Sequence, residues 1–257
     1  MILRDLAKGR AIHAPVALVV AHPDDETLGV GGRMAGLRRL TLIHLTDGAP
    51  RTRDGASAAV AMQREQELCA ALATLGVAPQ RRIAYAWRDQ ESIRHLPEIV
   101  AALHRDLAGA AAVLTHAYEH GHPDHDTAAL AVHMACALLA RSGARPAVIE
   151  FPSYHLGPNG SRFGAFWRDS HRREWTAALD IRERNRKARA LACFASQREM
   201  LRNFPADTER FRRAPDYDFR EPAPPLLAWY DAQHWPVDSR GWRRLAARGL
   251  GKAGVAA

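Results

Sequence analysis

Val16-Ala17-Leu18-Val19-Val20-Ala21 runs directly into His22-Pro23-Asp24-Asp25-Glu26. A short apolar run rich in Val reads as a strand buried on both faces, as in parallel sheets. At its tip an imidazole and three carboxylates crowd together, and burying them is costly unless a cation compensates. Asp24 and Asp25 repel each other when both are ionised; a divalent metal would relieve that repulsion. A second apolar run, Ala110-Ala111-Ala112-Val113-Leu114, precedes His120-Gly121-His122-Pro123-Asp124-His125. Two strand tips ending in metal-ligand residue types point to one site assembled from both.

Outward from these tips, strand and helix signals alternate. Strands are predicted over residues 16–21, 40–46, 83–87, 110–115 and 147–151. Helices are predicted over 26–37, 56–75, 96–107 and 124–139, with Gly76 as a C-cap. The alternation predicts an α/β fold with a mainly parallel sheet and helices on both faces. Beyond residue 151 the pattern loosens: a turn at 157–160, a helix over 174–196, then irregular chain over 204–225. Trp229, Trp235 and Trp242 are expected to anchor this irregular and helical tail by burial, and residues 251–257 to fray. With no internal repeat or linker, residues 1–257 read as a single domain, with a core of about 14–197 and a C-terminal extension of about 198–257.

The composition, 47% hydrophobic and 25% charged over 257 residues, is that of a globular protein large enough to bury a core. The formal charge of +8 raises nucleic acid as a partner. Its arginines are scattered along the chain, however, so a basic face attracting anionic substrates is preferred and no nucleic acid is expected. No run approaches the ~18 apolar residues needed to span a bilayer, and the first residues lack a signal peptide's apolar core, so a cytoplasmic location is expected. Cys69, Cys136 and Cys193 show no CxxC spacing and read as buried reduced thiols.

Ligands in open α/β sheets bind outside the carboxyl ends of the strands, where His22–Glu26, Thr46-Asp47 and residues 116–125 all fall. Catalytic zinc takes three protein ligands from His and Asp/Glu. His22, Asp25 and His125 make such a two-His, one-carboxylate set, which also serves Fe2+. Asp24 then remains as general base. His122, if protonated, could stabilise an oxyanion or protonate a leaving amine. The glycines at 29, 31 and 32 suggest a dinucleotide loop, but the third position of that pattern is Met34, so close helix–sheet packing is the better reading.

Ala21-His22-Pro23-Asp24-Asp25-Glu26 with Gly31-Gly32, Leu45-Thr46-Asp47-Gly48 and His122-Pro123-Asp124-His125 together resemble the PIG-L/LmbE-like family of zinc-dependent N-acetylglucosaminyl deacetylases. Arg64-x-x-Glu67 with Leu75-Gly76, and Ser196-Gln197 after Lys187, resemble further family motifs. The resemblance implies a Rossmann-like fold with zinc on His22, Asp25 and His125. It also implies Asp24 as general base and His122 as the group stabilising the tetrahedral intermediate. By position, Arg64 and Asp89 become candidates for sugar or phosphate contacts. The implied activity is removal of the N-acetyl group from a small-molecule N-acetylglucosamine conjugate. An amidase for another amide of an amino-sugar conjugate and a non-catalytic sugar-binding protein are the alternatives, and a homo-oligomer is compatible with either. The departures are His120, where some members carry a Tyr, and Phe194, where many carry a His.

Overall fold

The computed structural model describes residues 1–50, 57–168, 172–224 and 227–253. Strands β1 (Ile12–Val20), β2 (Leu37–Thr46), β3 (Arg81–Trp87), β4 (Ala112–His116) and β5 (Ala147–Phe151) pair in parallel. Two antiparallel strands, β8 (Trp175–Ala178) and β9 (Thr208–Arg213), extend the β5 edge. The order is β3-β2-β1-β4-β5-β9-β8, the mainly parallel α/β fold expected. Strands β6 (Tyr154–Gly157) and β7 (Gly160–Phe163) form a separate hairpin around the predicted turn.

Helices cover both faces, and the two-residue period of the central strands divides the core between them. Ala17, Val19, Ile43, Leu45 and Val113 pack with α4 (Leu96–Asp106), α5 (Pro123–Arg141) and α9 (Ser239–Ala253). Val16, Leu18, Val20, Leu42 and Leu114 face the other way, toward α1 (Ile2–Ala7), α2 (Asp25–Val30), α3 (Ser57–Leu75) and α6 (Ile181–Ala192). Short helices α7 (Arg198–Leu201) and α8 (Trp229–Ala232) complete the tail. Gly76 takes a φ of +68° and ends α3 as expected.

From β1 the sheet grows through β2 and β3 on one side and through β4 and β5 on the other, so the strand order reverses between β1 and β4. That switch point opens a crevice at their carboxyl ends, and there the two His-Pro-Asp motifs meet.

Five expectations need correction. The helix predicted over 26–37 stops at Val30, because β2 already begins at Leu37. Gly29 does serve close packing: a Cβ there would stand 2.4 Å from the Phe151 ring of β5. The helix predicted over 174–196 begins only at Ile181, behind an Asp180–Glu183 capping box, and β8 precedes it. The irregular chain predicted over 204–225 contains β9, which its four charged residues disguise. Of the three tail tryptophans only Trp242 is fully buried, and Cys69 is exposed while Cys136 and Cys193 are half-buried. Helix α9 runs through residues 251–253, and the remainder of the predicted frayed end, like residue 56 of the second helix, lies outside the described residues. No helix among the described residues is long and apolar enough to cross a membrane.

Candidate metal centre

The first strand tip is held by its own backbone. His22 N–H donates to Asp25 Oδ2 at 2.8 Å, and Asp24 N–H donates to Glu26 Oε2 at 3.0 Å. Asp24 occupies the N-cap position of α2 yet caps nothing, and its φ is +123°, a strained value for a residue with a side chain. Its carboxylate turns instead to Arg64 of α3, whose Nη2 donates to Asp24 Oδ2 at 2.9 Å. The same guanidinium donates to Pro23 O and Gly48 O at 2.8 and 2.7 Å. Gly48, at φ +66°, is required here: a Cβ would lie 2.7 Å from the guanidinium carbon.

The second tip opens α5. Pro123 fits the first helical turn, where its missing N–H costs nothing, and His122 is the N-cap, its Nδ1 accepting from Asp124 N–H at 3.1 Å. Asp124 faces the loop after β3, accepting from Gln90 N–H at 2.6 Å and Ser92 N–H at 3.1 Å.

Asp25 stands between the tips. Its Oδ2 is 3.2 Å from His22 Nδ1, and its Oδ1 is 3.3 Å from His125 Nε2. Two ligand atoms each ~2.1 Å from one ion at a tetrahedral angle would be ~3.4 Å apart, so these spacings suit a shared ion. The His22 and His125 ring centroids are 5.2 Å apart, about the separation of two imidazoles bound to one centre. Three groupings have all their ligand atoms within 4.8 Å of one another: His22 with His122 and His125, His22 with Asp89, His122 and Asp124, and Asp25 with His116 and His125. Asp89 Oδ1 lies 3.1 Å from His22 Nε2 and 3.4 Å from His122 Nε2.

The seven residues singled out from sequence, His22, Asp24, Asp25, Arg64, Asp89, His122 and His125, all line one cavity of about 190 Å3. Sequence reasoning missed three others. His116 ends β4, stacks on His125 at 4.0 Å and reaches Asp25 Oδ2 at 3.4 Å; its place at a strand end was the available signal. Tyr154 and Trp235 also line the cavity, and nothing in their local sequence marks them. His120 points away from the cavity, with Nδ1 2.9 Å from Asp126 Oδ2 and Nε2 accepting from Ala223 N–H, so it ties down the tail. Phe194 is core.

Charge is concentrated here among buried side chains. Burial opposes charging His22, but Asp89, Asp124 and Asp25 outweigh it and push its pKa well above the ordinary range. Burial also resists ionising Asp25, yet His125 and His116 hold its pKa well below the usual carboxylate value. Burial pushes Asp24 up to about 8, with Arg64 pulling down and Asp25 pushing up. Burial and His22 lower His122 well below its ordinary value. Burial and His125 bring His116 down to about 4.

A mainly parallel α/β sheet with a buried cluster of imidazoles and carboxylates at its switch point defines a class of site suited to a divalent ion. Residues 17–136 match the family model described as PIG-L, GlcNAc-PI de-N-acetylase, and this stretch carries that family's pattern. No curated protein matches the chain in sequence. Among solved structures, a deacetylase triple mutant (Orf2*T) from the teicoplanin biosynthetic pathway is similar, at 18% identity and a TM-score of 0.58, over 80% of this chain and 99% of that one. N,N'-diacetylchitobiose deacetylase from Pyrococcus horikoshii shares 16% identity at a TM-score of 0.52, over 81% and 86%. GalB, a 4-carboxy-2-hydroxymuconate hydratase from Pseudomonas putida KT2440, shares 21% at 0.50, over 74% and 82%. Likeness at this level is a likeness of fold, and its holders include a hydratase, so the chemistry must be argued from the site.

Proposed function

We propose that the chain is a metal-dependent N-deacetylase that removes acetate from an N-acetylglucosamine-containing conjugate, as one domain over residues 1–257. The observation that carries this reading is Asp25 set between His22 and His125, with Asp24 beside it and paired to Arg64. The donor set fits an ion: three carboxylates, Asp24, Asp25 and Asp124, lie buried among the imidazoles and a fourth, Asp89, is half-buried, with Arg64 as the guanidinium lining the cavity. His22, Asp25 and His125 would hold it, as zinc or iron(II), since both accept two imidazoles and a carboxylate. When bound, such an ion supplies Lewis acidity, polarising an amide carbonyl and bringing a water's pKa toward neutrality.

Asp24 takes the proton of the attacking water. Burial makes its carboxylate a strong base, and Arg64 pulls its pKa part of the way back down and aims it. The strained backbone at Asp24 presents the carboxylate to the cavity instead of to its own helix. Once protonated, Asp24 can pass the proton to the departing amine. His122 works as a neutral donor: with Nδ1 accepting from Asp124 N–H, its proton sits on Nε2, which faces the cavity. That refines the expectation of a protonated His122, because burial beside His22 disfavours a second imidazolium. Nε2–H is then available to an oxyanion. Asp124 orients His22 through Nε2 at 3.2 Å.

The test is turnover of metal-quantified protein on N-acetylglucosamine glycosides and glycolipids, reading free amine and acetate. Asp24→Asn should retain metal and lose activity by orders of magnitude. Release of a larger carboxylate without acetate would select the amidase alternative, and binding without any hydrolysis would select a sugar-binding protein.

A further inference from the structure

Trp235 belongs to two walls. It lines the cavity at the His/Asp cluster, its ring centroid 4.7 Å from that of His122. It also borders a larger cleft of about 460 Å3 lined by Arg94, Arg244 and Arg248. All three arginines are exposed, and none is paired with a carboxylate among the described residues. Asp238 also lines the cleft, but its Oδ1 is engaged by Gly241 N–H at 2.6 Å in the first turn of α9. Three guanidinium groups therefore share a concave surface with one occupied carboxylate.

The cleft is also held in fixed relation to the centre. Arg94 sits in a turn whose Ser92 N–H donates to Asp124 Oδ1 at 3.1 Å. Helix α9, which carries Arg244 and Arg248, is pinned by Trp242 Nε1 donating to Pro123 O and Thr127 Oγ1, each at 3.0 Å. Both anchors fall on the first turns of α5, the segment that carries His125 and is capped by His122. A scattered basic surface has no reason to be tied this way to one strand tip. Trp235, Arg244 and Arg248 lie beyond residues 17–136 and only Arg94 within them, so most of the cleft lies outside the stretch that matches the family.

We propose that this cleft is an anion subsite, taking a phosphate or carboxylate group borne by the conjugate on the side away from the acetyl group. Guanidinium forks match both oxyanions bidentately, and Trp235 supplies a face between the charged end and the sugar. The inference rests on the deacetylase reading for what happens at the centre, but not for the cleft's own affinity.

The experiment uses the metal-loaded full chain. Inorganic phosphate binding is followed by calorimetry and by tryptophan fluorescence in the wild type, in Arg244→Gln/Arg248→Gln, and in a charge-matched control, Arg184→Gln/Arg189→Gln, on the exposed face of α6. The cleft variant should weaken binding at least ten-fold while the control changes it less than two-fold. Equal weakening in both, or none in either, overturns the proposal. For turnover, the ratio of kcat/KM for an anionic over a neutral N-acetylglucosaminide should fall ten-fold or more in the cleft variant, and an unchanged ratio also overturns it. Comparing a phosphorylated with a uronic-acid conjugate identifies which anion is preferred. Arg-dependent phosphate binding without acetate release from any substrate would leave the subsite standing and bring down the deacetylase reading alone.

Discussion

Arg64 Nη2 and Asp24 Oδ2 meet at 2.9 Å with both side chains buried, and the guanidinium's other contacts go to Pro23 O and Gly48 O. A residue expected from the resemblance to touch sugar or phosphate thus has its Nη groups directed to the acidic loop, where it holds a carboxylate. Arg64 lowers the pKa of Asp24 against the push of burial, so its removal should raise that pKa. If Asp24 acts in its ionised form, the rising limb of the rate–pH profile moves to higher pH in Arg64→Lys. At pH 7, kcat should fall by up to ~10-fold with a smaller change in KM, since a rise of about one pKa unit is about 1.4 kcal/mol. Arg64→Ala would leave a buried charge unpaired and should cost about 3–5 kcal/mol of stability, which is why the lysine variant is the informative one. A shift of the limb to lower pH would contradict the role given to Arg64.

Metal removal should be legible in stability as well as in activity. Without a cation the centre holds several carboxylates in low dielectric, offset mainly by Arg64 and a charged His22. A chelator should therefore lower the melting temperature, and adding back zinc should restore it as RT ln(1 + [L]/Kd). His125→Ala should lose metal on elemental analysis, whereas Asp24→Asn should keep it at the wild-type ratio. Stoichiometric metal in His125→Ala would overturn its assignment as a ligand.

His122→Ala should separate oxyanion stabilisation from metal binding. Losing one donor aimed at a developing charge typically costs ~10²–10³ in kcat. The loss should appear in kcat with metal content unchanged, and His122→Gln, which keeps a donor of similar reach, should recover part of it. If His122 acts as the neutral donor proposed, its variant should not abolish the alkaline limb of the pH profile, as loss of a required imidazolium would.

The parallel core was legible in sequence because it is built from local signals. Residues 16–20 and 112–114 announce buried strands by their unbroken apolar runs, and the two His-Pro-Asp turns follow them directly. The residues that cluster at the candidate centre were legible for the same reason: His22, Asp25 and His125 each sit within a short loop of a strand end. What escaped was set by distant pairing. Strand β9 is Thr-Glu-Arg-Phe-Arg-Arg, and only its partners rationalise it: Phe211 enters the core while Arg212 pairs with buried Glu150 of β5. Strand β8 exists because β9 does. Trp235 comes to His122 because His120, through Ala223 N–H and Trp229 N–H, fastens the tail across the site, and no periodicity records that contact.

A last prediction concerns stability away from the centre. His133 on α5 packs edge-on against Tyr217 and Phe219, with ring centroids at 5.6 and 5.3 Å. Burial lowers its pKa to about 4, and Asp216 only partly offsets this. The folded value lies below the unfolded one, so above about pH 6.5 the ring is neutral in both states and stability is undiminished. As the pH falls from about 6.5 toward 4, the unfolded chain takes up a proton that the folded chain refuses, and folding weakens. The contribution is at most about 3 kcal/mol, and smaller to the extent that water reaches the half-buried ring. Carboxylates titrate in the same window, so the comparison must be differential. Urea unfolding of wild type and His133→Gln at pH 7.0 and pH 4.5 should show the wild type losing ~1–2 kcal/mol more than the variant between the two. Equal losses would mean that the protein relaxes to hydrate His133 and that the ring carries no pH penalty.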